Sequence, residues 1–230
     1  DSTYCPNCGS KLFYSTIYYS HLGNWKCLSC KTARPKLNIS KSSVYPLPGI
    51  YNRYNTLAAV LLSKQLNVSG KDITSALHEF KPAFGRQEKL NVGNKNVQIF
   101  LSKNPTSFNE SLQTVKELGA KNILFVLNDR IPDGRDVSWI WDTNLEEHLG
   151  KIKNITVSGD RCYDMALRVK YSYSSRFQIS PVRQAQGKHF KFQIDENLEK
   201  AIKRALNKTP KNQTLYILPT YSAMLEVRKI

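Results

Sequence analysis

Four of the five cysteines fall into two pairs, CPNC at Cys5 and Cys8 and CLSC at Cys27 and Cys30, with eighteen residues between the pairs. No other feature restricts the start of the chain so tightly. Two thiolates two residues apart sit on one tight knuckle, and two knuckles complete a tetrahedron around Zn²⁺. Four thiolates close the coordination shell, so a zinc held this way is structural and has no open position for substrate. Disulfides are the competing reading. The knuckle spacing weighs against them, as does the opening DSTYCPNCGS, which lacks the layout of a secretory leader. Between the pairs, KLFYSTIYYSHLGNWK alternates apolar and polar residues and predicts a hairpin with its turn near Gly23-Asn24. His21 and His78 read as surface or packing residues rather than ligands.

Thirty-four Lys and Arg against eighteen Asp and Glu give a formal charge of +16. With 40% hydrophobic and 23% charged residues, the chain has the composition of a soluble globular protein, not of a disordered one. No transmembrane segment is expected, since no apolar run approaches the ~20 residues a membrane helix needs. The first residue is not Met and a cysteine pair follows almost at once, which predicts a piece of a longer protein. The basic surplus suits nucleic acid, a membrane surface or anionic metabolites. The charges are spread, however, and the richest run, KAIKRALNKTPK, reads as one exposed face of an amphipathic helix. Nucleic acid is therefore not the expected partner. A basic zinc-ribbon module for nucleic acid or protein docking stands as the rival reading.

After a polar, proline-containing stretch to about residue 48, Leu57, Val60, Leu61 and Leu66 mark one helix. Ile73, Leu77 and Phe80 mark a second, with Ser69 or Asp72 able to start it. From about residue 92, strand-like NVQIFLS, NILFVLN, NITVSG and TLYILPT alternate with helical SFNESLQTVKEL, DRCYDMALRVKY and ENLEKAIKRALN. Alternation of this kind predicts an α/β domain with a mainly parallel sheet, whose function gathers in the loops beyond the strand C-termini. Cys162, on a helix with Met165, Ala166 and Val169, is expected to be buried.

One such loop, DRIPDGRDVSWIWD, gathers Asp129, Asp133, Asp136 and Asp142 in an otherwise basic chain. Turn formation beside Pro132 and Gly134 accounts for Asp129 and Asp133. Asp142 can start the following TNLEEHL helix. A metal cup fits the spacing, but Arg130 and Arg135 argue against it. Asp136 is left needing a partner. Trp139 and Trp141 read as apolar anchors, in the core or at a subunit interface. No G-x-x-x-x-G-K-[ST] phosphate loop occurs, so the chain is not expected to use ATP alone.

GIYNRYNTLAA resembles the G-x-x-N-x-x-N-x-L-A-A motif closing the central domain of Mur ligases, and FGRQEKL resembles the G-R-x-E stretch that follows it. The ribbon insertion, KNP, NDRIPDGRDVSWIWD and LYILPTYSAMLEVRK together resemble the MurT branch of that family. The resemblance implies a zinc-ribbon insertion over residues 1–48, the end of the central ATPase domain over 49–91, and a Rossmann-like C-terminal α/β domain over 92–230.

It also implies a ligase-like subunit of lipid II isoglutaminyl synthase. Such a subunit, acting in the cytoplasm at the inner membrane face, uses ATP and Mg²⁺ to amidate the D-glutamate α-carboxylate of the lipid II stem peptide. A GatD-type glutaminase, its heterodimer partner, supplies ammonia. Asn52 and Asn55 would lie against the nucleotide base; an amide offers the donor and acceptor adenine needs, while helix capping is the plain alternative. Arg86 would approach ribose or phosphate, against a surface ion pair. Lys103 and Asn104 replace a His-Asn pair near the transferring phosphate. Asp136 would complete the glutaminase triad from across the interface. No motif for recognising an amino-acid nucleophile is found, which fits ammonia.

Overall fold

The computed structural model describes residues 3–19, 22–174 and 192–229. The chain divides into two compact units, Asp1–Phe80 and Lys81–Ile230. His21 lies outside the described residues.

In the first unit, strands β1 (Leu12–Tyr19) and β2 (Leu22–Cys27) form an antiparallel hairpin. Tyr19 pairs with Leu22 and Asn24 with Thr16, so the expected Gly23-Asn24 is not the turn of the hairpin. Gly23 is instead paired with Ile17 inside the ladder. A Cβ there would stand 2.2 Å from the Thr16 carbonyl oxygen, so this glycine serves close cross-strand approach. Helices α1 (Ile50–Gln65) and α2 (Gly70–Glu79) follow. The Ser69 side chain accepts from the Asp72 N–H, making Ser69 the cap of α2.

The second unit is built on one six-stranded sheet. Its elements are β3 (Arg86–Val92), β4 (Lys95–Phe100), α3 (Pro105–Glu117), β5 (Asn122–Val126), α4 (Leu145–His148), β6 (Asn154–Ser158), α5 (Cys162–Ser174), β7 (Gln193–Ile194), α6 (Leu198–Lys208), β8 (Thr214–Pro219) and α7 (Tyr221–Val227). The strand order is β3-β4-β8-β5-β6-β7, parallel throughout except for the antiparallel edge strand β3. Residues 81–91 thus lie with the α/β sheet, and the stretch 49–91 falls across both units.

Alternation along β5 shows the layering. Ile123 and Phe125 enter one core with Phe108 and Leu112 of α3 and Met165 and Val169 of α5. Leu124 and Val126 enter the opposite core with Ala201 and Ala205 of α6 and Ala223 and Met224 of α7. Burial on both faces is why β5 reads as an unbroken apolar run. On α6, Ala201, Ile202 and Ala205 are buried while Lys200, Lys203, Arg204 and Lys208 are exposed, so the richest basic run is the solvated face of a packed helix. Cys162 is buried. No helix among the described residues is long and apolar enough to cross a membrane.

Candidate functional site: the C-terminal edge of the sheet and a four-thiol cluster

The four cysteines of the first unit converge. The Sγ atoms of Cys5 and Cys30 are 3.6 Å apart, those of Cys8 and Cys27 3.5 Å, and all four lie within 4.8 Å of one another. A tetrahedral ion with metal–sulfur bonds of about 2.3 Å places its sulfurs roughly 3.8 Å apart, so the cluster fits a four-thiolate metal site. The thiols do not ionise alike as free groups. Burial pushes Cys5 up to about 11, whereas hydrogen bonding to Thr32 holds Cys30 down to about 5.

In the second unit the loops after β4, β5, β6 and β8 all emerge at the C-terminal edge of the parallel strands, and the polar side chains gather there. Asn128, fully buried after β5, accepts from the Asp160 N–H at 3.0 Å and donates to the Ser222 hydroxyl at 3.1 Å. Arg130 forks onto Asp160 at 2.8 and 3.2 Å and also pairs with Glu226. Arg161 joins Asp129 at 2.9 Å to Asp164 at 2.7 Å. Gly159 has φ +99°, and a Cβ on it would meet the Leu127 carbonyl oxygen at 2.5 Å and Asn128 Oδ1 at 2.7 Å. Only glycine lets the β6 loop approach Asn128 so closely. An open hollow of about 500 Å³ is lined by Asp129, Arg130, Ile131, Pro132 and Arg135.

The four aspartates of the DRIPDGRDVSWIWD loop differ in position. Asp129 is half-buried in its ion pair. Asp133 is buried, and its carboxylate accepts from the Ser222 N–H at 2.7 Å and from the Ser222 hydroxyl. Turn formation alone therefore does not account for Asp133; it caps the start of α7 from 89 positions away. Asp142 ends a 3-10 turn, Ser138–Asp142, and Asn144 occupies the N-cap of α4, so Asp142 does not start that helix. Asp136 is exposed, and its Oδ1 accepts from the Ser138 N–H at 2.8 Å. That hydrogen bond holds its carboxyl below the usual aspartate range. Asp129 alone of the four pairs with a cation among the described residues; Asp133 is taken up by Ser222, and Asp136 and Asp142 are the exposed acids left without one. Of these two exposed acids, Asp136 is the one whose carboxylate accepts from a backbone donor.

Trp139 packs edge-on against Phe108 at the core, while Trp141 is 48% exposed and meets Tyr171.

The other expected residues are divided between the units. Asn52 is buried in α1 and donates to the Pro48 carbonyl at 2.7 Å, whereas Asn55 is exposed on the same helix. The α1 cap position is Gly49, with no side-chain cap, so neither asparagine is the cap. In the second unit, Arg86 is exposed at the start of β3, opposite Phe100 at the end of β4. Lys103 is exposed just beyond β4. Asn104 caps α3, accepting from the Ser107 N–H at 2.8 Å in a reciprocal capping box. Arg86 and Lys103 have no acidic partner among the described residues.

A three-layer α/β unit with its polar loops at the C-terminal strand edge is Mur ligase-like, and solved structures agree. A pseudomurein peptide ligase type C from Methanothermus fervidus superposes with a TM-score of 0.59 at 21% identity, over 98% of this chain and 48% of that one. The chain belongs to the MurT family, for residues 101–224 match the family described as MurT ligase C-terminal. Two relatives are each named as the MurT subunit of a glutamine-hydrolysing lipid II isoglutaminyl synthase. The one from Staphylococcus aureus is 34% identical over 188 residues, 74% of this chain and 43% of that protein. The one from Streptococcus pneumoniae is 30% identical over 246 residues, 98% of this chain and 52% of that protein. The chain thus spans about half the length of these curated relatives.

Proposed function

We propose that this chain is part of the ligase-like subunit of a lipid II isoglutaminyl synthase and contributes an acid to the glutaminase reaction of its partner. In the whole complex, ATP activates the D-glutamate α-carboxylate of the lipid II stem peptide, and ammonia released from glutamine by a GatD-type subunit completes the amide. The observation that carries this reading is Asp136, an exposed carboxylate at the C-terminal edge of the sheet, oriented by Ser138 and committed to no cation among the described residues.

Such a group suits the third position of a Cys-His-acid triad. A carboxylate beside the histidine Nδ1–H fixes the tautomer that leaves Nε2 free to take the thiol proton, and it stabilises the imidazolium that forms. The acid must stay ionised throughout, and the Ser138 N–H favours that form. Geometry alone sets triad membership, so the acid can come from another chain.

The cysteine cluster holds zinc in this reading, because four soft thiolates at tetrahedral spacing select it. The ion shapes the ribbon and takes no part in the chemistry. In the second unit, Arg86 and Lys103, without an acidic partner among the described residues, are offered to nucleotide phosphates; in the first, Asn55 and the remaining acceptor of Asn52 are offered to a base. Asn104 acts by fixing the α3 start beside Lys103.

The test uses the full-length subunit assembled with its glutaminase. Asp136→Asn should abolish glutamine-dependent amidation of lipid II and leave amidation driven by added ammonium intact. Equal loss of both activities would overturn the assignment.

A further inference from the structure

Asp136 lies between two buried polar anchors. Three residues before it, Asp133 is 7% exposed and takes both hydrogen-bond donors of Ser222 at the start of α7. Four residues after it, the Ile140 carbonyl accepts from Arg168 Nε at 3.0 Å. Arg168 belongs to α5 and is 3% exposed. Its guanidinium also reaches the Thr143 carbonyl and both oxygens of Glu146, at 2.6 and 2.8 Å. Between the anchors, Val137 is buried in the core, and Ser138 orients the carboxylate.

An arginine is a costly choice at this position of α5. Its neighbours on the inner face, Met165, Ala166 and Val169, fill the core without a charge to desolvate. A buried guanidinium is tolerated only when its donors are met, and here two of its partners are backbone carbonyls, Ile140 within the 3-10 turn and Thr143 just after it. Backbone hydrogen bonds fix where the chain runs, whichever side chains the turn carries. Asp133 does the same for the entry to the segment, because it binds the amide end of a helix.

We propose that Arg168 and Asp133 are positioning residues for Asp136. They hold residues 134–138 at both ends, so that the carboxylate meets the partner's histidine without rearrangement. The inference rests on the role given to Asp136 above. Neither residue touches the reacting atoms. Each acts through the path of the backbone, where a displacement of about 1 Å can cost as much as two orders of magnitude in rate.

The full-length subunit assembled with its glutaminase is compared as wild type, Asp136→Asn, Arg168→Lys and Asp133→Asn. Lysine keeps the charge but cannot span two carbonyls and a carboxylate; asparagine keeps the shape but loses the charge at the helix start. Both positioning variants should lower kcat for glutamine hydrolysis by roughly tenfold, with KM for glutamine and ammonium-driven amidation within about twofold of wild type. A general folding defect would lower both amidation activities together, and that result would overturn the proposal. Should Arg168→Lys yield no complex, Asp133→Asn alone decides, with unchanged glutamine hydrolysis counting against the proposal. Loss of glutamine-dependent activity in Asp136→Asn alone refutes only the positioning roles. No selective loss in Asp136→Asn refutes the underlying triad role.

Discussion

The sulfur of Cys5 stands 3.6 Å from that of Cys30, and twenty-five positions of chain separate the two residues. A hairpin of six to eight residues a side has little apolar surface to hold its ends together. The thiol cluster does that work, with Cys27 fully buried at its centre. Cys27→Ser should therefore bring bound zinc from about one ion per chain towards zero and lower the melting temperature. Metal analysis alongside thermal melting checks this, and unchanged values in both would remove the four-thiolate site.

Lys103 and Asn104 are adjacent but should respond differently to truncation. Asn104→Ala removes the cap of α3 and should cost about 1 kcal/mol in chemical unfolding. Lys103→Ala removes an exposed side chain with no acidic partner among the described residues and should stay within roughly 0.5 kcal/mol of wild type. In the full-length complex, Lys103→Ala should nonetheless weaken ATP-dependent amidation, whichever nitrogen source is supplied.

At Gly159 the backbone conformation and the close contacts act together. Gly159→Ala would place a Cβ at 2.5 Å from a carbonyl oxygen, at a φ of +99°. The loss should be on the order of 3 kcal/mol in urea unfolding. Because the clash also reaches Asn128, the variant should weaken the hydrogen bonds joining the β5 and β6 loops to α7, seen as faster amide exchange at Asp160.

The Asp136 carboxyl should titrate below an ordinary aspartate, with Ser138 as the cause. A depressed folded-state value means that its contribution to stability is present above the ordinary aspartate range. That contribution fades as pH falls through the depressed value. Carboxyl chemical shifts followed by NMR across the acid range report it directly, and a midpoint at or above the ordinary value would refute the Ser138 contact in solution.

How far the sequence could be read depended on the range of the interactions. Strands β4, β5, β6 and β8 and the helices between them show in the apolar pattern, most clearly at β5, where burial on both faces leaves an unbroken run. Edge strand β3, RQEKLNV, is largely polar and carries a positive φ at Gln87, so it has no such run. β7 is two residues long, too short for any pattern. Gly23 misled as a turn signal because its real constraint is a contact across the hairpin. The cysteine spacing, a local signal, pointed to the cluster that the fold brings together. Asp133 was misjudged for the opposite reason, since its partner Ser222 is 89 positions away. Arg168 did leave a sequence trace, as a charge on the otherwise apolar stripe of Met165, Ala166 and Val169. Its partners could come only from the fold.

The strand order β3-β4-β8-β5-β6-β7 has a consequence for synthesis. Among the described residues, strand β8, residues 214–219, is the one strand that joins β4 to β5 in the sheet. A nascent chain exposed only as far as residue 213 can form at most two half-sheets, each with an inner edge whose backbone donors and acceptors face no neighbour. Until β8 slots between them, the nascent chain carries two open templates for pairing with other chains, and the functional edge does not yet exist. The vulnerable interval in the life of this protein thus lasts until residues 214–219 become available, and chaperone demand should be greatest just before they do.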